Sequence, residues 1–421
     1  MMRQVGIEAM NVFGGAASLD VTMLARHRKL DSQRFGNLLM HEKSVALHSE
    51  DPVTFAVNAA KPLIDALSPE ERDQIELLIT CTESGIDFGK SVSTYVHDYL
   101  GLKNNCRVFE LKQACYSGTA GFHSAVQFVL SQTSPNAKAL VVAVDLCRFL
   151  MIGDGGVAAQ DWAFSEPSGG AGAVAMLISD KPRVFSLDIG ASGYYSFEVM
   201  DTCRPEPDSE AGDADLSLMS YLDCCEQTFN EYRLRVDDVD YARTFDYLAF
   251  HTPFGGMVKG AHRLMMRKFA PGDPSVIEAD FTQRVEPGLA FCQRVGNIMG
   301  ATMFLSLAGI ISTARFDQPR RIGCFSYGSG CCSEFFSGTV TPQSRDHLSA
   351  QAIAQQLDNR YRLSLPEYES ILLGNDAVRF GTRDHTVACP VTDRVIAAGG
   401  LSGKLLLSAI NGYHREYSFQ P

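Results

Sequence analysis

The feature that most constrains this chain is an alternation of short, unbroken apolar runs with segments of helical period. IELLITC (75–81), ALVVAVDL (139–146), AVAMLIS (173–179) and YLAFHTP (247–253) are bounded by turn residues and read as buried strands. Residues 116–131, 217–235 and 300–314 carry the helical spacing. Strands and helices in alternation predict a layered α/β fold. A faint internal echo predicts two similar halves with a boundary near residue 180. The small-residue helix after Cys115 precedes the strand entry 169-GGAGAVAMLIS-179, and 296-GNIMGATMFLSLAGII-311 precedes 328-GSGCCSEFFSG-338.

The chain has 421 residues, 45% of them hydrophobic and 20% charged, enough to bury a large interior. Its 37 Lys+Arg against 49 Asp+Glu leave a net charge of -12. That balance repels nucleic acid and anionic membranes over most of the surface, so neither is expected as a partner. An anionic partner would need a local basic patch, for which 26-RHRK-29 with Arg34 and 259-KGAHRLMMRK-268 are the candidates. In the second, Lys259, Arg263 and Arg267 follow at i, i+4 and i+8 and share one helix face. The start MMRQVGIEAM lacks a signal-peptide apolar region and no run reaches membrane-spanning length, so the twelve cysteines are expected reduced and the protein cytoplasmic. None of the cysteines has zinc spacing, and no metal is expected.

Two glycine runs, 153-GDGGVA-158 and 170-GAGAVA-175, imitate a dinucleotide fingerprint. The fingerprint needs a strand before the glycines and a helix after them; the second run leads into a strand instead, and no convincing helix follows the first. The acidic stretch 206-EPDSEAGDAD-215 reads as an exposed loop.

Four residues carry chemistry. Cys115 stands where LKQA gives way to small residues and a helix. A thiol at a helix start faces the positive end of the macrodipole and unpaired N–H groups, which predicts a lowered pKa and a cradle for an oxyanion. Glu83 follows a strand end in 81-CTESGID-87, where desolvation would raise a carboxyl pKa and suit it to proton transfer. His251 ends the strand YLAF before Thr252 and Pro253, placed to donate a proton or polarise a carbonyl, or else to bond backbone within the core. Asn297, in GNIMGA, is either an N-cap or an amide that holds a substrate carbonyl.

TESGID (82–87), QACYSGTAG (113–121), GGAGAVAML (169–177), DxxRP (201–205), HTPF (251–254), GNI (296–298) and FSYGSG (325–330) stand in one order along nearly the whole chain. As a set they resemble the 3-hydroxy-3-methylglutaryl (HMG) synthases of the thiolase-like condensing superfamily. The resemblance implies a fold of two similar βαβαβαββ halves in an α-β-α-β-α core, residues 1–180 holding Glu83 and Cys115 and residues 181–421, with insertions, holding His251 and Asn297. It implies an acyltransferase in which Cys115 carries acetyl, Glu83 is the general acid/base, and His251 serves the leaving group and the acceptor ketone. Asn297, Asp201, Tyr327 and the backbone of Ser329 join it as substrate-binding and oxyanion groups. A homodimer is implied as well.

Glu83 discriminates within the superfamily, because decarboxylative condensation makes its own carbanion and needs no carboxylate base. Primary-metabolism members usually carry lysine five residues after the catalytic histidine, where this chain has Gly256, and commonly tyrosine where it has Phe149. Residues 196–217 resemble instead the HMG synthases of polyketide β-branching, which act on substrates tethered to acyl carrier protein (ACP). That implies donor and acceptor ACPs as partners, met by Arg34, Lys259, Arg263 and Arg267, and no cofactor beyond the phosphopantetheine delivered on ACP or coenzyme A. The alternatives are the HMG-CoA synthase of isoprenoid metabolism and a non-catalytic condensing-fold subunit.

Overall fold

The apolar runs form strands because each is buried on both faces. In Lys138–Leu146 and Ala171–Ser179 every residue is buried, and Ile75–Cys81 has one partly exposed position. The computed structural model describes residues 4–31, 35–148, 165–205, 207–208 and 210–421. The strands of its central sheet, labelled in chain order, are β1 (Gly6–Phe13), β2 (Ile75–Cys81), β3 (Arg107–Leu111), β4 (Lys138–Leu146), β5 (Ala171–Ser179), β6 (Phe185–Ser196), β7 (Tyr247–Phe250), β8 (Arg320–Gly328) and β9 (Cys332–Val340).

Their spatial order is β7-β8-β9-β6-β1-β5-β4-β2-β3. Two copies of one pattern meet in it. In β1-β5-β4-β2, the first strand runs antiparallel to the second, the second antiparallel to the third, and the third parallel to the fourth; β6-β9-β8-β7 repeats these senses. The joint between the copies is two residue pairs, Gly6 with Ser186 and Ile7 with Phe185. The echo in the sequence is therefore an echo in topology, and the architecture is the thiolase-like α/β fold.

Helices α1 (Pro52–Asp65), α2 (Ser117–Ser131), α3 (Ala214–Arg235), α4 (Gly255–Phe269) and α5 (Thr302–Thr313) complete the layers. One apolar cluster joins Phe122, Val126 and Val129 of α2 with Phe304, Leu307 and Ile311 of α5 and with strands of both copies, which makes α2 and α5 the middle layer. Phe122 and Phe304 meet ring to ring at 5.6 Å. A second cluster packs α1 on β2, β4 and β5, and a third packs α3 and α4 on β7, β8 and β9, giving the two outer layers.

The two middle helices start against each other, and small residues make that approach fit. A Cβ on Gly118 would stand 2.1 Å from the Gly300 carbonyl oxygen, inside any tolerable contact. The run SGTAG is thus a packing requirement that brings the segment before α2 to the segment before α5. The helices begin and end within three residues of expectation, α2 at Ser117 and α3 at Ala214, while the run at 299–301 is a 3₁₀ turn ahead of α5. The second glycine run enters β5 with no helix after it; the first, like Phe149, lies outside the described residues. No helix among the described residues is long and apolar enough to cross a membrane.

Candidate active site

A cavity of about 1200 Å³ opens where the two halves meet. Glu83, Cys115, His251, Asn297, Tyr327 and Ser329 all line it, although they come from five separate segments. All but Tyr327, which lies near the end of β8, follow from a local stop in secondary structure. Glu83 lies just past the end of β2, His251 directly after β7, Ser329 in the turn between β8 and β9, and Cys115 and Asn297 in the turns before the paired helices.

Cys115 is held in a tight turn. Ala114 before it has φ +43°, Tyr116 caps α2, and the thiol Sγ lies 3.7 Å from Met299 Sδ. The expectation of a lowered thiol pKa is corrected here. Burial pushes the thiol well above its ordinary value, and the negative charges of Glu83, Asp145 and Glu210 push it the same way, with Arg204 opposing. Cys115 stands one residue before the N-cap of α2, and burial is the largest influence on its thiol.

Glu83 is pushed up to about 7, first by burial and then by Asp145 and Glu210, while Arg204 pulls it down. Its turn is fastened by Asp145, a fully buried side chain at the end of β4. Asp145 Oδ1 accepts from the backbone N–H of Glu83 at 2.9 Å, the N–H of Ser84 at 3.0 Å, and the hydroxyls of Thr82 and Ser84, each at 2.9 Å. Asp145 is itself pushed up to about 6, chiefly by burial.

His251 is 1% exposed and is pushed down to about 3 by burial alone, so the ring is neutral at pH 7. Its backbone is pinned, with N–H donating to Phe325 O at 2.8 Å and O accepting from the Tyr221 hydroxyl at 2.7 Å. Its Nδ1 has no hydrogen-bond partner among the described residues. The Asn297 side chain is oriented: Oδ1 accepts from Met299 N–H at 3.0 Å and Thr302 Oγ1 at 3.1 Å, which leaves the amide NH₂ as its donor.

Asp201 and Tyr327 take a supporting place. The buried Asp201 carboxylate accepts from the Tyr327 hydroxyl at 2.6 Å and from Gly330 N–H at 3.0 Å, and so holds the turn that carries Ser329. Asp201 does not line the cavity.

Among the described basic candidates, Lys259, Arg263 and Arg267 do not line it either. Lys259 and Arg263 share a face of α4 as their spacing predicts, but both pair with Glu278, Arg263 at 3.0 Å; Arg267 is exposed on the same face, and Arg34 lies outside the described residues. Gly256 is explained by packing: a Cβ there would stand 1.7 Å from Asn37 O, because residues 37–39 cross this point on the cavity's edge.

Sequence reading missed three site residues. Asp145 was hidden inside the apolar run ALVVAVDL, where an acidic side chain ending a buried strand was the available signal. Arg204 stood in the DxxRP string without a role, and Glu210 in a stretch read as exposed loop. Pro207 and residues 212–215 are exposed as read, but Ala211 and Gly212 pair with Thr202 and Cys203, and Glu210 bonds Arg204 at 3.1 Å beside Glu83. Among the described residues no group of three or more His, Cys, Asp or Glu is arranged to hold a metal ion.

Residues 1–182 match the profile of the hydroxymethylglutaryl-coenzyme A synthase N terminal domain and residues 273–377 that of the C terminal domain. The chain is 63% identical, over 99% of both chains, to the polyketide biosynthesis 3-hydroxy-3-methylglutaryl-ACP synthase PksG of Bacillus subtilis (strain 168). It is 33% identical to the hydroxymethylglutaryl-CoA synthase of Enterococcus faecalis, over 87% of this chain and 91% of that one. Among solved structures, the curacin biosynthetic pathway HMG synthase in complex with acetyl donor-ACP superposes with a TM-score of 0.94 at 59% identity, covering 99% of this chain and all of that one. The chain belongs to the HMG-CoA synthase family of condensing enzymes.

Proposed function

We propose that the protein is an HMG synthase of polyketide β-branching, which adds acetyl from an acetyl-donor ACP to the β-ketone of an acceptor ACP's thioester. The observation that carries this is the convergence of Glu83, Cys115, His251, Asn297 and Ser329 on one cavity, in a chain 63% identical to a polyketide HMG-ACP synthase. Residues 1–180 supply base and nucleophile, and residues 181–421 supply the groups that meet the acceptor.

The steps follow from the charge states. Cys115 sulfur attacks the acetyl thioester, its proton leaves with the departing carrier thiol, and acetyl stays on Cys115. The Glu83 carboxylate, poised near neutrality, removes a proton from the acetyl methyl. The N–H groups of Cys115 and Ser329 hold the enolate oxygen. The enolate carbon attacks the acceptor ketone, whose oxygen takes hydrogen bonds from the neutral His251 ring and the Asn297 amide as it becomes alkoxide; it then takes up the proton that Glu83 removed, becoming hydroxyl and returning Glu83 to its carboxylate form. Water finally cleaves the Cys115 thioester, freeing the thiol and a new carboxylate, while the acceptor keeps its own carrier thioester. Aldol addition and hydrolysis leave no net oxidation, so the enzyme brings no redox cofactor; phosphopantetheine arrives on its partners.

The neighbourhood of Gly256 supports carrier-bound rather than free thioesters, since no lysine side chain fits there while residues 37–39 cross it. The protein acts as a cytoplasmic homodimer, which light scattering checks. The deciding experiment offers acetyl-ACP or acetyl-CoA with acetoacetyl-ACP and follows intact protein mass. Acetyl on Cys115 and a condensed product on the acceptor are expected, faster from acetyl-ACP. Equal rates from both donors would overturn the carrier preference, and acetylation of Cys115→Ala at the wild-type rate would overturn the mechanism.

A further inference from the structure

Arg204 is the cation inside the reactive corner of the cavity, and the steps above leave it unused. Its side chain is 15% exposed, and it lines the cavity with Glu83 and Glu210. One nitrogen, Nη1, donates to Glu83 O at 3.2 Å and to Ser84 Oγ at 3.4 Å, gripping the turn that presents the base. The other, Nη2, lies 3.6 Å from Glu83 Oε1 and 3.1 Å from Glu210 Oε1, between two carboxylates. Glu210 reaches this point because the 201–213 segment folds back on itself through the Thr202–Cys203 and Ala211–Gly212 pairs. Pro205 and Pro207 of that segment also line the cavity.

We propose that Arg204 and Glu210 form a positioning pair for the base: the guanidinium aims Glu83 and favours its ionised form, and Glu210 anchors the guanidinium while diluting its pull. The inference rests on Glu83 being the base of the proposed reaction. A forked guanidinium can bond a main-chain oxygen and a carboxylate together, which a lysine ammonium cannot do with fixed geometry.

The groups facing Glu83 assign the signs. Arg204 lowers its proton affinity, and Asp145 and Glu210 raise it, while Cys115 stays a neutral thiol. Removing Arg204 therefore shifts ionisation of the base to higher pH, and removing the Glu210 charge shifts it lower.

The test measures condensation against pH for wild type, Arg204→Gln, Arg204→Lys and Glu210→Gln, with Cys115 acetylation read separately by mass. Arg204→Gln is expected to move the acid limb, where activity rises as Glu83 ionises, up by about one pH unit or more and slow condensation about 30-fold or more, with acetylation within about 3-fold of wild type. Arg204→Lys should restore the limb but not the full rate. Glu210→Gln should move the limb down by about half a unit. An infrared difference titration of the Glu83 carboxyl, assigned with Glu83→Gln, reads the same shifts without turnover and with folded protein. Unmoved titrations in both Arg204→Gln and Glu210→Gln overturn the pair. Shifted titrations in the variants, with a wild-type protein that never acetylates Cys115, would keep the pair and overturn the reaction.

Discussion

The cavity has two reactive corners, and burial acts on them with opposite results. Around Glu83 the buried charges are crowded: one arginine and two further carboxylates surround it, and its pKa, pushed up to about 7, is a balance among them. Around His251, among the described residues, burial acts alone, and it drives the ring down to about 3. Both groups are thereby available in neutral form near pH 7, but the first can change charge during a cycle and the second stays a hydrogen-bonding dipole. On the proposed reaction, Glu83 as the base must gain and lose protons and is set by adjustable charges, while His251 as the donor must not ionise and needs only dryness.

The largest break in this contrast is Glu83→Gln, which keeps shape and removes the proton acceptor. Condensation should fall about 10³-fold or more while Cys115 still takes acetyl, as product assays with mass detection would show. His251→Asn should cost less, about 10²-fold in condensation, and leave the pH midpoint of the remaining activity where wild type has it, because His251 does not titrate in the working range. A moved midpoint would mean the two corners share charge after all.

Stability against pH sharpens the comparison, and the signs are opposite. The native Glu83 binds its proton more tightly than the unfolded chain, so native stability falls as pH rises from about 4.5 to about 7, and Glu83→Gln should flatten that fall. The native His251 binds its proton less tightly, so stability falls as pH drops from 6.5 toward about 3, and His251→Asn should flatten the acid limb. In denaturant titrations the changes are on the order of 3 kcal/mol for Glu83 and 5 kcal/mol for His251. The smallest effect is expected at the oxyanion turn. Asp201→Asn keeps one acceptor for the Tyr327 hydroxyl or Gly330 N–H, and should slow acetylation and condensation together about 10-fold, leaving both pH limbs in place.

Much of this was legible in the residues. The four apolar runs became β2, β4, β5 and β7, because uniform burial on both faces leaves a uniform sequence trace. Strand β6 left none, since its FSLDIGASGYYS is partly exposed along most of its length and mixes small, polar and aromatic residues. Glu83, Cys115, His251 and Asn297 were visible as chemistry-bearing residues at element ends, which is where a layered fold exposes side chains to a cavity.

The chain order of its residues alone determined the layered class and the doubled pattern, because these depend on local periodicity and residue type, and the ordered family strings marked the proposed nucleophile, base and donor. Only tertiary structure decided their proton affinities and their neighbours. Asp145 reaches the Glu83 turn across 62 residues and Arg204 across 121. Desolvation and charge act through space, so a thiol that its own segment marks as acidic becomes, once folded among carboxylates, a reluctant one.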